Sequence, residues 1–215
     1  MTDVVLHGYY RSSASFRLRI ALGLKQIGYR DVFRHLRRGE QRSADYLSLN
    51  PQGLVPTLEI GGEHLTQSLA AIEFLEECYP EPPLLPIDAS GRARVRALAQ
   101  IVACDIHPID NLRVLQYLRG PLSLPQPSIE KWYNHWIVEG FSAIERLLSN
   151  DPRTGRFCHG GDVTLADVCL VPQVINAGNF ALDLSPFPTL QRIAGEALKL
   201  PAFERALPAH QRDAE

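Results

Sequence analysis

Asn50-Pro51-Gln52-Gly53-Leu54-Val55-Pro56-Thr57-Leu58-Glu59-Ile60-Gly61-Gly62-Glu63-His64-Leu65-Thr66 is the stretch on which the fold turns. Thr57 to Ile60 and Glu63 to Thr66 read as short strands. Gly61-Gly62 between them tolerates the positive φ that a two-residue hairpin turn demands at both central positions. Pro56 opens the first strand, where proline is tolerated. A cis bond there would turn the chain and leave the Val55 amide and carbonyl free to pair with an extended ligand.

Working back from the hairpin, Asp45 to Leu49 reads as a short helix that ends before Asn50-Pro51. Tyr29 to Leu36 and Val4 to Tyr10 read as strands. Ser15 to Ile27 places Phe16, Ile20, Leu24 and Ile27 on one helical face. Working forward, Ser68 to Tyr79 is a helix with Leu69, Ile72 and Leu75 inward. The order is β-α-β-(α)-β-β-α, an α/β domain over 1–80. Pro80-Glu81-Pro82-Pro83 and Pro86 interrupt all periodicity, so 81–91 reads as a linker. From 92 to 215 the strands disappear. Arg92 to Leu118 is helical with a kink at Pro108. Ser128 to Leu148 carries Ile129, Trp132, Trp136, Gly140, Ile144 and Leu147 along one stripe. Leu165 to Ala177 and Leu190 to Leu200 follow. The fold class is α/β plus all-α.

Composition narrows the function. The 215 residues hold 22 Lys+Arg against 24 Asp+Glu, a formal charge of −2, which lacks the one-signed patch of a nucleic-acid binder. With 45% hydrophobic and 21% charged residues, a sizeable core is expected rather than disorder. No run approaches the roughly 18 apolar residues of a membrane span. Met1-Thr2-Asp3 leads straight into a strand without the segments of a secretory signal, so a cytoplasmic location is expected. Cys78, Cys104, Cys158 and Cys169 have no zinc-site spacing and read as reduced core thiols, with no metal implied.

Three short segments carry candidate chemistry. Arg11-Ser12-Ser13-Ala14-Ser15 lies where the first strand gives way to the first helix. One serine suffices for an N-cap, but a helix N-terminus also favours a bound thiolate or carboxylate. The loop Asn50 to Thr57 is the second. The third is Gln67-Ser68, where Ser68 reads as an N-cap and the first-turn amides equally suit a carboxylate.

Taken together, Ser12-Ser13-Ala14-Ser15-Phe16-Arg17-Leu18-Arg19-Ile20-Ala21-Leu22, the Leu49 to Leu58 loop and the Thr66 to Glu77 stretch resemble the cytosolic glutathione transferases, the zeta class above all. The resemblance continues through Leu84-Leu85-Pro86, Ile106-His107-Pro108-Ile109-Asp110-Asn111-Leu112, Gly160-Gly161-Asp162-Val163-Thr164-Leu165-Ala166-Asp167 and Leu170-Val171-Pro172-Gln173-Val174. It implies a thioredoxin-like domain that binds glutathione, a helical domain that supplies the electrophile pocket, and a homodimer. Thr164 and Asp167 match the family's helix-initiating box and read as structural.

Zeta-class members are best known as maleylacetoacetate isomerases, in some bacteria as maleylpyruvate isomerases, and some act on α-haloacids. The resemblance therefore implies that Ser12 hydrogen-bonds the glutathione sulfur, with Ser13 auxiliary. It implies that Gln41, Val55, Gln67 and Ser68 hold the tripeptide, with His107 and Asn111 from the helical domain. His107 also reads as a surface imidazole beside Pro108. Arg11 and Arg113 are the cations expected to meet a small dicarboxylate substrate, because guanidinium matches carboxylate geometry. Arg17 and Arg19 are expected to join them in a locally cationic cleft.

Three positions depart from the family pattern. Ala14 stands where cysteine is usual, which removes any thiol role there, and Phe16 replaces a common tryptophan or histidine. Asn179 falls where related isomerases carry arginine, so it is the expected substrate contact with a weaker carboxylate clamp. A maleylacetoacetate isomerase is the leading expectation. The alternatives are a maleylpyruvate isomerase, a conjugating transferase or α-haloacid dehalogenase, and a non-enzymatic interaction module, against which Ser12, Ser13, Gln67 and Ser68 speak.

Overall fold

The computed structural model describes residues 3–215; Met1 and Thr2, read above as leading into the first strand, lie outside the described residues. The chain forms two compact units. One comprises residues up to Pro83 together with Lys199–Glu215, and the other Leu84–Leu198. The segment from Lys199 onward thus departs from the expected 92–215 grouping, because helix α9 (Pro201–Ala206) packs on the first helix of the chain. The expected linker is also anchored. Leu84 and Leu85 are buried, and the Leu84 carbonyl accepts the Leu165 amide at 2.8 Å.

In the first unit, β1 (Val4–Gly8), β2 (Arg30–Phe33), β3 (Thr57–Ile60) and β4 (Glu63–Thr66) form one sheet of order β2-β1-β3-β4. The β1–β2 pair is parallel and the other two are antiparallel. This is the thioredoxin-like arrangement. Helices α1 (Ser13–Leu24), α2 (Ala44–Leu49) and α3 (Ser68–Cys78) complete it. Register decides what meets where. His7 pairs with Thr57 and Thr57 with Thr66, so the chain leaves β1, enters β3 and leaves β4 at one end of the sheet. The segments that follow or precede those residues, Tyr9–Ser12, Val55–Pro56 and Gln67–Ser68, therefore share that end.

Helix α1 is buried from Ser13 through Leu22, lying between α3 and α9. Phe16, Ile20, Leu58, Ile72 and Leu75 form the core here, each worth roughly 1.5–3 kcal/mol on full burial. Leu24 and Ile27, expected on the inner face, are only half-buried. The same enclosure corrects the expected cationic cleft. Arg17 and Arg19 are buried, and Arg19 donates to the Ala206 carbonyl from Nε and to the Tyr10 carbonyl from Nη2, both at 3.1 Å. Burial pulls the Arg19 pKa down to about 10, so it stays charged at neutral pH.

The second unit is helical: α4 (Ala89–Gln100), α5 (Leu112–Arg119), α6 (Gln126–Ser149), α7 (Leu165–Ala177) and α8 (Pro188–Leu198). The expected helix from 92 to 118 is broken rather than kinked. After Gln100 the backbone widens into a π-helical segment, Ile101–Ile106, where the His107 amide reaches back to the Val102 carbonyl at 2.9 Å. Pro108 has no amide to continue the ladder, and α5 starts afresh at Leu112. Gly140 of α6 lies against this segment, where a Cβ would overlap the end of the Ile106 side chain and force it to shift.

The buried face of α6 is Ile129, Tyr133, Ile137, Phe141, Ile144 and Leu148, one position round from the expected stripe. Leu147 is about half exposed (49%), and Trp132 and Trp136 flank the core with their rings edge to face. Of the four cysteines, all free, Cys158 and Cys169 are buried as expected while Cys78 and Cys104 are exposed. No helix of the described residues is long and apolar enough to cross a membrane.

Candidate active site

The loop after β1 is built as a tight turn. The Ser12 amide donates to the Tyr9 carbonyl at 3.0 Å, and α1 begins at Ser13. Ser12 has extended backbone, and its Oγ accepts the Ser15 amide at 3.1 Å, which makes it the N-cap. Capping uses an oxygen lone pair and leaves the hydroxyl proton to be donated, so cap and ligand contact are compatible. Ser13 is buried as the first helical residue, Ser12 is half-buried, and Arg11 is exposed beside it. The Tyr9 phenol in the same loop is not a base at neutral pH. Burial and neighbouring Tyr10 push its pKa up to about 12, with Arg37 and Arg11 acting the other way.

The loop ahead of β3 is held rigid from outside. Asn50 donates from Nδ2 to the Leu54 carbonyl at 2.7 Å and accepts the Gln52 amide at 3.1 Å. The Tyr46 hydroxyl donates to the same Leu54 carbonyl at 2.7 Å. These clamps have only a partial sequence signal, the Asx turn before proline, and nothing local marks Tyr46. The Val55–Pro56 bond is cis. Neither the amide nor the carbonyl of Val55 pairs with the backbone of another described residue. Gly53, at φ +60°, lies so close to Gln41 that a Cβ would stand 3.0 Å from the Gln41 carbonyl oxygen. Gln41 thereby joins this loop, and its side-chain oxygen is buried without a hydrogen-bond partner among the described residues.

At the third segment, Gln67 rather than Ser68 occupies the N-cap position of α3. Gln67 has φ +65°, an uncommon conformation for a residue with a Cβ and one that recurs at ligand clamps. Its side-chain Nε2 donates to Gln52 Oε1 at 2.8 Å, which ties the second and third segments together. Ser68 is buried, and its Oγ accepts from Arg17 Nη1 at 3.3 Å. This corrects the reading of Ser68 as a cap: Arg17 is spent behind the α3 N-terminus, where it adds positive charge to a helix end that already favours anions.

The helical unit gathers its own set where α5 starts. Asn111 caps α5 by accepting the Arg113 amide at 3.2 Å, and its Nδ2 lies 3.4 Å from His107 Nε2. His107 and Asn111 are half-buried and Arg113 is exposed. Asn179 sits exposed in the turn Gly178–Phe180 after α7, which packs on Tyr133 through Phe180. No group of three or more His, Cys, Asp or Glu among the described residues is arranged to hold a metal.

Asp110, beside Asn111, carries no role in the sequence reading, yet it is 7% exposed and neither carboxyl oxygen meets a hydrogen-bond partner among the described residues. Burial raises its pKa to about 8. The acid is thus neutral in the fold at pH 7 but ionised in the unfolded chain above about pH 4. A raised folded pKa means stability present at low pH and lost as pH rises through about 8, at about 1.4 kcal/mol per unit across that window. Asp110→Asn removes the titration. Its thermal midpoint is expected to equal that of the parent near pH 4 and to exceed it by several degrees at pH 8, measured by calorimetry at both values.

Residues 11–78 match the family described as Glutathione S-transferase, N-terminal domain. The chain is 49% identical over 216 residues to the probable maleylacetoacetate isomerase of Vibrio cholerae, covering 100% of both. The holo structure of a maleyl pyruvate isomerase, described as a bacterial glutathione transferase of the zeta class, superposes with a TM-score of 0.97 at 49% identity, covering 98% of this chain and 100% of that one. The maleylacetoacetate isomerase of Methylobacterium extorquens AM1, with malonate and GSH bound, superposes with a TM-score of 0.95 at 44% identity, covering 98% and 99%. Near-complete coverage on both sides carries the likeness through the sheet end and the broken helix alike, and the chain belongs to the zeta class of the glutathione transferases.

Proposed function

We propose that this enzyme is a glutathione-dependent cis–trans isomerase that converts maleylacetoacetate to fumarylacetoacetate. The observation that carries the reading is Ser12, whose oxygen is anchored at the N-terminus of α1 while its proton remains to be given, in a chain about half identical to named isomerases. The residues fit glutathione, an anionic peptide with one thiol. Val55 offers an open amide and carbonyl to the cysteinyl unit. Ser68, Gln67 and the α3 N-terminus, backed by Arg17, suit the γ-glutamyl carboxylate. Gln41 brings a buried acceptor without a partner.

Glutathione, when bound, supplies a thiolate for reversible addition to a conjugated cis double bond, which permits rotation and returns the thiol. What the chain contributes is the thiolate's stability. The Ser12 hydroxyl and the α1 N-terminus lower the thiol pKa from about 8.5, at about 1.4 kcal/mol per unit. Ser13 supports that turn. Following the family resemblance, we assign Arg11 and Arg113 to the substrate carboxylates, Asn179 to a neutral substrate contact, and His107 and Asn111 to glutathione. We place the enzyme in the cytoplasm as a homodimer, following the family; its mass in solution tests the second point.

A coupled assay with maleylacetoacetate tests the reading: turnover is expected only with glutathione, which is not consumed. No turnover at any glutathione concentration, or its stoichiometric consumption, would sink it. Maleylpyruvate is the second substrate to measure, because a maleyl pyruvate isomerase superposes at a TM-score of 0.97. The ratio of kcat/KM values decides between them.

A further inference from the structure

The loop that carries Arg11 and Ser12 is not held by its own sequence neighbours alone. Both backbone groups of Tyr10, two residues before Ser12, are engaged by distant parts of the same unit. Its amide donates to Asp213 Oδ2 at 2.9 Å, across 203 residues of chain. Its carbonyl accepts Arg19 Nη2, and the same guanidinium donates from Nε to the Ala206 carbonyl at the end of α9. Beyond α9 the segment is folded on itself. Gln211 donates from Nε2 to the Arg205 and Leu207 carbonyls at 2.9 and 2.8 Å, and the Ala214 amide donates to the Gln211 carbonyl at 3.1 Å. Its last residue reaches the other side of the loop. Glu215 Oε1 lies 3.0 Å from His35 Nε2 and 2.9 Å from Arg38 Nη2, and the His35 ring stands edge to face against Tyr9 at 5.0 Å.

We propose that residues 207–215 form a strap that sets the β1–α1 loop, and that Asp213 is a positioning residue for the Ser12 hydroxyl. The inference rests on the reading of Ser12 given above. Ser12 is fixed on its α1 side by its cap to Ser15 and by its carbonyl, which accepts the Phe16 amide at 2.9 Å. On its β1 side it is fixed by the turn hydrogen bond to Tyr9, whose own amide lies 3.4 Å from Ser15 Oγ. The peptide groups on either side of Tyr10 are held from outside the loop. Asp213 holds the Tyr9–Tyr10 peptide by its N–H and Arg19 holds the Tyr10–Arg11 peptide by its C=O, so both peptide planes flanking Tyr10 are oriented. Tyr9 and Tyr10 are buried and anchor the start of the loop, whereas Arg11 is exposed, so the strap's hold on the Tyr10 backbone acts where the loop turns from its buried part toward Ser12. No sequence motif announces this, because Asp213 has no local partner to pattern with.

Asp213→Ala and Asp213→Asn in the full chain test it, the asparagine retaining a side-chain oxygen that accepts the Tyr10 amide. Amide exchange at Tyr10 is expected to be about tenfold faster in the alanine variant and near parental in the asparagine variant. The acid limb of the kcat/KM profile is expected to move up by about one pH unit in Asp213→Ala, a tenfold loss of thiolate near neutrality, with KM for the dicarboxylate unchanged. Asp213→Asn restores it. A lower melting temperature with the acid limb unmoved would make Asp213 merely structural and overturn the proposal. If Asp213→Ala fails to fold, Glu215→Ala cuts only the outer contacts, and about threefold faster Tyr10 exchange is expected, with no change overturning the strap. Failure of the parent protein to isomerise sinks the functional reading, whereas unchanged exchange at Tyr10 sinks the strap whatever the parent does.

Discussion

Ser12→Ala is expected to lower kcat/KM for glutathione-dependent isomerisation by about two orders of magnitude, the usual cost of removing one donor aimed at an anionic reaction centre. Two effects are superposed and separable. The cap is lost, since the Ser15 amide at 3.1 Å no longer has an acceptor, and this costs about 1 kcal/mol of stability. The donated proton is lost as well, so the thiol returns toward its free value of about 8.5 and only a few per cent is ionised at neutral pH. The second effect appears as an upward shift of the acid limb of kcat/KM, which thermal destabilisation cannot mimic. Ser12→Thr retains both oxygen and proton and is expected to recover most of the rate. An alanine variant within twofold of the parent, its acid limb unmoved, would transfer the role elsewhere in the loop, with buried Ser13 the next hydroxyl to test.

How far the sequence revealed this arrangement depended on whether the partner of a residue lay nearby in the chain. The hairpin was legible to the residue, Thr57–Ile60 and Glu63–Thr66, because Gly61 and Gly62 accept the positive φ, +61° and +86°, that a two-residue turn demands. Helix α7 was equally clear, bounded by its own capping residues. The face of α6 was misjudged by one position because tryptophans were read as core. Trp132 instead keeps its ring at the flank, where Nε1 donates to the Ile109 carbonyl at 3.1 Å, while Tyr133 is buried because its hydroxyl finds Asn176. Arg19 looked like a cation for a cleft. Its actual partners include the Ala206 carbonyl, 187 residues away, which no local pattern encodes. Among the candidate residues, Ser12 was visible through helix-start chemistry, whereas the cap position of α3 falls on Gln67 rather than Ser68, and the φ of Gln67 and the clamp from Tyr46 on Leu54 are tertiary features with no local pattern.

Asp167→Ala is expected to destabilise the helical unit by about 3–5 kcal/mol, because three buried donors lose their acceptor at about 1–3 kcal/mol each. The side chain is fully buried and accepts three hydrogen bonds. Oδ1 takes the Cys158 amide at 2.8 Å, and Oδ2 takes the Thr164 amide at 2.8 Å and the Thr164 hydroxyl at 2.9 Å. One carboxyl therefore fixes the start of α7 and pins to it the loop that precedes it. Alanine leaves two amides and a hydroxyl without acceptors in a place that water does not reach, and it adds a small void. Asp167→Asn is the informative companion. Its single oxygen can serve one side of the network, while its NH2 group, placed at the other, faces a donor, so it is expected to recover part of the loss and no more. The measurement is the chemical-denaturation midpoint of both variants with the slope compared, so that a changed unfolded state is recognised. Since α7 packs against both α4 and α8, the loss is expected to be cooperative across the unit rather than confined to the loop. An alanine variant within 1 kcal/mol of the parent would mean that the network relaxes to admit water, and that the start of α7 is held by its apolar contacts alone.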